Sequence, residues 1–543
     1  MSNEGRSTGA YASRWFAAVL AAALALAVPA AGAAPVTGGV LALGITADPI
    51  TLDPHASAYA NTFLVGSLNL IESLVYQQPD GKTVPWLAAS YRVSADGRTF
   101  TFVLRQDVRF TDGAPLNAEA VKWNLDRIVN PSFRPGGAIN ALVGYTGTTV
   151  VDDHTVQVHF KEPYAPFLGY AAGGVLGILS PKTTTTQTAA AVAHGAVGSG
   201  PFVVSEYVTN DHLTFARNPE YNRRAPWSDH QGPPYLDRLV WKIVPEPGTR
   251  AITISSGETQ MIYVLGYGPG GGAILAQLRK DSRLVEDARP FPGSAYLWLF
   301  NVRLPPMDDV RVRQAIIYGI NRRAIISALY RGLGSPACGI ISHVLLQDPA
   351  ACAYYPYNPI KAAQLLDEAG WKMGPNHRRM KDNRPLSLVF NSLNSGGGDL
   401  PDVQPVQGQL FDLGIELKIK SQAIGGFAED NFRCADHAGT IFLRANDADA
   451  MYALFASANI GSNFNWSCYS NPEADRLLAE GRSTLDPVKR QTVYVRLDHM
   501  LLDQAIAMPM MDELSVWVRR SNVQGVRYNY STYPALSDAH LVK

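Results

Sequence analysis

A short polar segment in the last quarter of the chain combines an arginine, an asparagine and two aspartates. Arg444, Asn446, Asp447 and Asp449 follow the apolar run 440–443. At a spacing of two, the carboxylates of Asp447 and Asp449 would share one side of an extended strand end. There they could receive a cationic ligand, or each could raise the pKa of the other. The alternative interpretation is a solvated turn that begins the following helix.

A glycine-rich loop, 266–271, offers a second kind of chemistry, the binding of a dinucleotide. It follows the strand-like run 261–265 and precedes the helix-like run 273–278, and Glu286 lies twenty residues after its first glycine. In a dinucleotide site, such glycines approach a pyrophosphate and the acid binds a ribose. The loop lies in the middle of the chain, however, and Pro269 stiffens it. A secreted oxidoreductase is therefore the weaker hypothesis.

The metal-ligating residue types form no local motif. The 11 histidines are scattered, and neither a His-Glu-x-x-His nor a Cys-x-x-Cys pattern occurs. We therefore expect no metal site and no cofactor. The remaining enzymatic hypothesis is a secreted hydrolase that uses Asp447 and Asp449.

The composition excludes two classes of protein. Because 47 Lys and Arg balance 47 Asp and Glu, the chain lacks the basic surplus of a nucleic-acid binder. A hydrophobic fraction of 46% and an aromatic fraction of 10% exclude a disordered chain. A length of 543 residues predicts two or three domains.

Residues 1–33 have the features of a secretory signal peptide. Two arginines precede the 13-residue apolar run 16–28, and 31–33 is a small-x-small sequence. The run would form a helix of roughly 20 Å, shorter than the roughly 30 Å hydrocarbon core, so a permanent membrane span is the weaker interpretation. We expect cleavage near Ala33 and export. A lipid anchor is not expected, because no cysteine precedes Cys338.

Export places the four cysteines in an oxidising compartment, where they can form disulfides. Four cysteines allow three connectivities. We prefer Cys338 with Cys352 and Cys434 with Cys468, because neighbours in sequence close the shorter loops.

Strand and helix patterns are mixed along the remaining chain, which predicts an α/β fold with several lobes. Alternating apolar residues predict strands at 99–104 and 155–160. Helical spacing predicts helices at 118–129, 310–329, 359–369 and 472–480, and a further long helix opens at Asp486.

Five motifs in a fixed order carry a resemblance to a known family. They lie at 84–121, 151–168, 198–202, 256–258 and 308–322. The first spans nearly forty residues and resembles the signature of the family-5 solute-binding proteins of ABC importers, the dipeptide, oligopeptide, glutathione and nickel receptors. An aspartate that usually follows the fourth motif is Gln260 here. The resemblance runs from about residue 40 to the C-terminus.

The resemblance implies a two-lobed periplasmic binding protein of type II, with hinge-linked lobes and an additional domain in the N-terminal lobe. The ligand of such a protein is enclosed when the lobes close, and no bond is made or broken. The expected division after the signal peptide is lobe I at 34–66, 199–290 and 511–543, an extra domain at 67–198 packed on lobe I, and lobe II at 291–510.

The function implied by the resemblance is the capture of a peptide or peptide-like solute in the periplasm. The protein would deliver this solute to the transmembrane subunits of an ABC permease with its ATPase. We expect a monomer without enzymatic activity. A receptor for nickel, haem or an opine-like anion is the rival within the family. The segments 248–250 and 464–471 look closer to the glutathione receptor.

Similarity also implies the position of the ligand. Peptide receptors of this family carry a loop, after a strand like 440–443, whose aspartate binds the ammonium group of the peptide. Arg444 lies close to that position, with Asp447 and Asp449 just beyond it. An arginine favours a carboxylate or phosphate, whereas a shift of the alignment by one residue would restore an acid and an amine.

The complete set of expected ligand-binding residues comes from this loop, from a second asparagine-rich loop and from lobe I. These residues are Arg444, Asn446, Asp447, Asp449, Asn391, Asn394, Tyr59, Asn61, Phe442 and Trp466. For Tyr59, Phe442 and Trp466, ordinary core packing is the alternative. A disulfide at Cys468 matches the family, and its bridge would brace the binding loop.

Overall fold

The computed structural model describes residues 35–57, 60–264, 270–394 and 400–542. The expected signal peptide 1–33 and Tyr59 lie outside these residues, as do residues 265–269 of the glycine-rich loop.

The described residues form strands throughout their length. In chain order the strands are β1 Val40–Ile45, β2 Val75–Gln77, β3 Thr83–Pro85, β4 Ala88–Val93, β5 Thr99–Leu104, β6 Tyr145–Asp152, β7 Thr155–Phe160, β8 Phe202–Val208, β9 His212–Arg217, β10 Arg238–Ile243, β11 Met261–Val264, β12 Leu284–Pro290, β13 Tyr296–Phe300, β14 Gly334–Ser335, β15 Lys372–Met373, β16 Arg379–Lys381, β17 Arg384–Pro385, β18 Ser387–Leu393, β19 Glu416–Gln422, β20 Ala438–Ile441, β21 Ala507–Arg520, β22 Val523–Gln524, β23 Arg527–Tyr528, β24 Pro534–Ala535 and β25 His540–Leu541.

Helices alternate with these strands. In chain order the α-helices are α1 Ala60–Gly66, α2 Ala118–Val129, α3 Phe167–Ala172, α4 Pro181–Thr186, α5 Ala189–His194, α6 Pro247–Ser256, α7 Gly271–Leu278, α8 Val310–Gly319, α9 Arg322–Tyr330, α10 Pro359–Glu368, α11 Val403–Asp412, α12 Ile424–Phe432, α13 Ala450–Phe455, α14 Pro472–Ser483 and α15 Pro487–Asp503. The α/β class expected from the sequence is confirmed.

Local sequence signals explain most of these boundaries. The expected strands at 99–104 and 155–160 and the expected helix at 118–129 are confirmed as β5, β7 and α2. The side chain of Asn117 begins α2 by accepting a hydrogen bond from the backbone N–H of Ala120 at 3.0 Å. A single helix over 310–329 is wrong. Asn321 accepts from the N–H of Ala324 at 3.0 Å, so the chain starts a second helix there.

One large sheet organises most of the chain, in the order β19-β18-β20-β13-β21-β11-β1-β10-β9-β8. The long strand β21 joins its two halves. Residues Ala507–Met511 of β21 pair with β13, whereas Val516–Arg519 pair with β11. The chain crosses between the halves of the sheet within β21, and the segment between β12 and β13 makes a second crossing. Two adjacent crossings are the arrangement that a hinge requires.

A separate antiparallel sheet, in the order β4-β5-β7-β6, lies on the N-terminal side. Phe100, Phe102 and Leu104 alternate inward along β5 and are buried with α2 and α3 in a core that runs from Leu74 to Ile178. This core falls within the expected extra domain 67–198. The expected domain boundaries themselves stay a prediction.

The structure joins Cys338 to Cys352 and Cys434 to Cys468, which are the pairings preferred from sequence proximity. Within the described residues, no helix is both long enough and apolar enough to cross a membrane.

Candidate ligand-binding site

The loop that carries Arg444 follows β20, which runs parallel to its neighbour β18. Ligand sites in α/β proteins lie beyond the carboxyl ends of such strands. The backbone at Arg444 pairs with Gly293, at a φ of 143° for the glycine. A Cβ atom at Gly293 would lie 2.1 Å from the carbonyl oxygen of Leu443. This position therefore requires glycine, and the close approach holds the Arg444 loop against the chain crossing between β12 and β13.

The side chain of Arg444 lies among aromatic rings from several segments. Its Nη2 donates to the hydroxyl of Tyr263 in β11 at 2.6 Å. Its guanidinium carbon lies 4.0 Å from the ring centre of Phe291 and 5.4 Å from that of Tyr533. Phe291 also packs on Phe442, with the ring centres 4.5 Å apart. Arg444, in a loop of the expected lobe II, thus contacts Tyr263 and Tyr533 of the expected lobe I, and its positive charge lies against ring faces.

A second charged group, Glu513, lies at the middle of β21. Its side chain is 5% exposed, and burial raises its pKa well above the ordinary value, against an opposing effect of Arg444. Its Oε1 has no hydrogen-bond partner among the residues that the structure describes. Arg444 and Glu513 therefore place a guanidinium and a protonatable carboxyl group near the lobe crossing.

Asp447 and Asp449, the two acids of the loop, have arginine partners. The side chain of Asp447 is 17% exposed and receives hydrogen bonds from Arg490 at 2.5 and 2.7 Å. Asp449 is fully buried, with its Oδ1 3.0 Å from Nε of Arg482. The expected turn before the helix at 450–455 is present, closed by the N–H of Asp449 on Oδ1 of Asp447 at 2.7 Å, but it is not solvated at Asp449. The two acids lie in this turn and not on a strand end.

Asp449 also connects lobe II with the expected extra domain. Tyr170 in α3 and Tyr494 in α15 each donate to its carboxylate at 3.2 Å. Burial raises the pKa of Asp449 to about 6, against the opposing effect of Arg482, whereas the arginines lower the pKa of Asp447 despite its own burial. The geometry favours a structural role for both acids, and their role as ligand anchors stays a prediction.

The four expected asparagines differ in their surroundings. Asn391 is fully buried, donates to the carbonyl of Phe427 at 3.0 Å and accepts from Gln422 at 2.9 Å. Asn61 donates to the carbonyl of Ala47 at 2.8 Å. Asn394 is exposed at the end of β18. The loop residue Asn446 accepts from the hydroxyl of Ser531 at 2.6 Å. Asn446 thus lies in the same loop as Arg444 and joins it to Ser531, whereas Asn391 is enclosed in a core and holds Phe427 and Gln422.

Trp466 lies in an aromatic cluster with Phe427, Phe432 and Phe464, at ring-centre distances of 5.5 to 6.1 Å. The disulfide between Cys434 and Cys468 lies beside this cluster in sequence. Core packing, the alternative stated for Trp466, accounts for these contacts.

A cavity of about 390 Å³ adjoins the loop. Its lining includes Asn446, Asp447, Arg490 and Ala165. A second cavity of about 500 Å³ lies between α6 and α7 and touches none of the expected site residues. In the described part of the chain, no group of three or more His, Cys, Asp or Glu side chains is placed to hold a metal ion.

Sequence reasoning missed the residues that surround Arg444. Tyr263, Phe291 and Tyr533 are far apart in the sequence, and aromatic residues in apolar runs resemble ordinary core. Glu513 had a usable signal, because Asp512 and Glu513 interrupt the otherwise apolar segment 507–518. An acidic pair inside a strand of this kind is rarely buried without a reason.

Comparisons with known proteins agree with this architecture. The family model for bacterial extracellular solute-binding proteins, family 5 Middle, matches residues 82–463. The glutathione-binding protein GsiB of Salmonella typhi is 30% identical over 544 residues, which cover 97% of this chain and 98% of that protein.

Solved structures of similar shape extend the comparison. The periplasmic binding protein DppA of Helicobacter pylori, in complex with the peptide STSA, matches with a TM-score of 0.80 at 22% identity, over 93% of this chain and 99% of that one. The oligopeptide-binding protein AppA of Bacillus subtilis, in complex with a nonapeptide, matches with a TM-score of 0.79 at 20% identity, over 94% and 100%. These likenesses confirm the two-lobed periplasmic-binding-protein fold. On the family model and the GsiB relationship together, this chain belongs to the family-5 extracellular solute-binding proteins of bacteria.

Proposed function

We propose that this protein captures a peptide or peptide-like solute outside the cytoplasmic membrane and delivers it to an ABC permease. The observation that carries the proposal is the position of Arg444, whose guanidinium group contacts residues of both lobes at their crossing. A ligand bound at such a position interacts with both lobes only when they are closed. Its differential affinity for the closed form would shift the equilibrium towards closure.

The relatives support the class of ligand. GsiB binds glutathione according to its name, and the DppA and AppA structures contain peptides. All three ligands carry carboxylates, which a guanidinium binds through two parallel hydrogen bonds. We assign the carboxylate of the solute to Arg444, with Asn446 and Phe442 beside it.

The cellular setting belongs to the same proposal. Residues 1–33 would direct export, with cleavage near Ala33, and the mature protein would act in the periplasm as a monomer without a lipid anchor. A hydrolase built on Asp447 and Asp449 is disfavoured, because each carboxylate is engaged by an arginine.

Replacing Arg444 tests the proposal. Isothermal titration calorimetry would compare the wild-type protein and Arg444→Met with glutathione and with the peptide Ser-Thr-Ser-Ala as probes. We expect wild-type binding of at least one probe and a loss of about 100-fold in affinity in the variant, because a buried carboxylate would lose its charged partner.

Arg433→Met is the matched control. Arg433 is a largely exposed arginine of lobe II, paired with Glu429, and its loss is expected to leave the dissociation constant unchanged. An unaltered dissociation constant in Arg444→Met would remove Arg444 from the site. Cleavage of the peptide, detected by mass spectrometry after incubation, would instead support the hydrolase.

A further inference from the structure

The acidic pair in β21 carries an inference about the charge of the ligand. Asp512 and Glu513 lie where β21 leaves its pairing with β13 and has not yet begun its pairing with β11. Both are buried, with 9% and 5% exposure. The chain therefore places two carboxyl groups inside the protein at the crossing of the lobes, where burial of a charge is costly unless the charge is paired.

Two of the three acids in this region have partners within the protein. Asp512 lies 3.0 Å from Nδ1 of His343. Asp402, at the start of α11, receives hydrogen bonds from Trp298 Nε1 at 2.8 Å and from the hydroxyl of Tyr296 at 3.1 Å. Oε1 of Glu513 and Oδ1 of Asp512 both have no hydrogen-bond partner among the described residues. Asp512 is paired with His343 through its other oxygen, whereas no ion pair is found for Glu513 in the described part of the chain.

Two other buried polar atoms, one in β21 and one in a segment bonded to Gly293, share this property. Ser342 Oγ and Ser515 Oγ are buried and also have no hydrogen-bond partner among the described residues. Ser342 is tied to the site, since its N–H donates to the carbonyl of Gly293, which itself pairs with Arg444. Most buried side-chain polar atoms are hydrogen-bonded, so these exceptions are polar atoms that another molecule can satisfy.

We propose that Glu513 binds a cationic amine of the ligand while Arg444 binds its carboxylate, so that the site selects solutes that carry both charges. This inference rests on the proposed function. An ammonium group offers three hydrogen-bond donors, and Oε1 of Glu513 has no donor among the described residues.

Proton release would accompany binding. Burial, together with the neighbouring Asp402 and Asp512, holds the pKa of Glu513 well above its ordinary value, and only Arg444 acts in the opposite direction. A bound ammonium lowers that pKa, so the carboxyl group loses a proton when the ligand enters. The apparent affinity for the ligand then rises with pH and becomes constant once the pH exceeds the pKa of Glu513 in the free protein.

The experiment compares a free amine with a blocked one. Calorimetric titrations of the wild-type protein with glutathione and with N-acetylglutathione, each in two buffers of different ionisation enthalpy, measure affinity and proton release together. We expect the wild-type protein to bind glutathione about 100-fold more tightly than the acetylated probe and to release a proton only with glutathione.

Glu513→Gln keeps the shape of the side chain and removes its charge. The variant is expected to bind both probes equally, at the weaker affinity, without proton release. Asp512→Asn is the matched control, since Asp512 has its own partner in His343, and it should change the affinity for glutathione by less than about threefold.

The outcomes separate the two proposals. Equal wild-type affinity for both probes, or unchanged selectivity in Glu513→Gln, would overturn the assignment of Glu513 while leaving the proposed function intact. If the wild-type protein binds neither glutathione, nor N-acetylglutathione, nor the peptide Ser-Thr-Ser-Ala, the result would count against the proposed function itself.

Discussion

Arg444 and Asp449 lie five residues apart in one loop, yet the structure uses their charges in opposite ways. Arg444 lies among aromatic rings at the lobe crossing, and its charge acts on Glu513, whose Oε1 has no donor among the described residues. Asp449 is fully buried and is contacted by Arg482, Tyr170 and Tyr494. The difference shows that one charged loop can hold both a ligand-binding residue and a structural residue. The partners of each charged side chain within the protein tell the two roles apart.

The largest expected effect concerns the scaffold. Asp449→Ala removes the carboxylate that neutralises buried Arg482 and leaves that cation unpaired. Breaking a buried ion pair in this way costs about 3–5 kcal/mol. We therefore expect the free energy of unfolding, measured by urea denaturation at pH 8, to fall by about that amount.

The exposed pair between Arg224 and Asp229 provides the control for this prediction. Both side chains are well exposed, so Asp229→Ala should cost less than about 1 kcal/mol. Folded Asp449→Ala protein at low temperature should still bind glutathione. A variant of full stability that fails to bind would reverse the two roles and make Asp449 a ligand group.

Asp498 is a buried acid for which no ion pair with arginine is found in the described part of the chain, so it reports the free-energy cost of burying a carboxylate by itself. Asp498 in α15 is 1% exposed and accepts from the N–H of Ile340 at 2.8 Å. Burial raises its pKa to about 7. A raised folded-state pKa means that the stability it contributes is present below the unfolded pKa of 3.8 and is lost as the pH rises towards 7.

Asp498→Asn should therefore stabilise the protein only at higher pH. At pH 8 we expect the free energy of unfolding to exceed that of the wild type by about 4 kcal/mol, because the amide carries no charge and the raised pKa of Asp498 costs about 1.4 kcal/mol for each pH unit between 3.8 and about 7. At pH 4 the two proteins should unfold at nearly the same urea concentration. A constant difference between pH 4 and pH 8 would contradict the raised pKa of Asp498 in the folded protein.

Much of the fold was predictable because its signals are local. Asn117 begins a helix, alternating apolar residues mark β5, and the motif over 84–121 resembles the signature of the family. The break at Asn321 was missed, because the apolar spacing continues across it while the cap acts on the backbone.

The site was predictable only in part, because its contacts are not local. The loop and Arg444 could be located from the sequence. The partner of Asp447 lies 43 residues away, and Tyr170 lies 279 residues from Asp449. Tyr263 and Tyr533, which flank Arg444, come from two further segments. Burial distinguishes the last two residues. Asn391 and Asn394 were expected in the site for the same reason, but Asn391 is enclosed in the core.

The smallest expected effect tests whether the scaffold contributes to closure. Tyr170 belongs to the core of the expected extra domain, whereas Asp449 belongs to lobe II, so the hydrogen bond between them exists only while these parts are in contact. Tyr170→Phe removes that bond but leaves Arg482 and Tyr494 on the carboxylate. Its loss should cost the closed form about 1 kcal/mol.

Such a loss predicts a dissociation constant that is about fivefold larger. The factor should be the same for glutathione and for N-acetylglutathione. Tyr91→Phe, which removes a hydroxyl bonded to the carbonyl of Thr83, is the control and should leave both constants unchanged. A factor that differs between the probes would mean that Tyr170 senses the ligand amine. Equal weakening of the binding of both probes would mean that Tyr170 acts on closure and not on recognition of the ligand. Recognition by Arg444 and Glu513 must depend on the charge of the ligand, whereas closure must not.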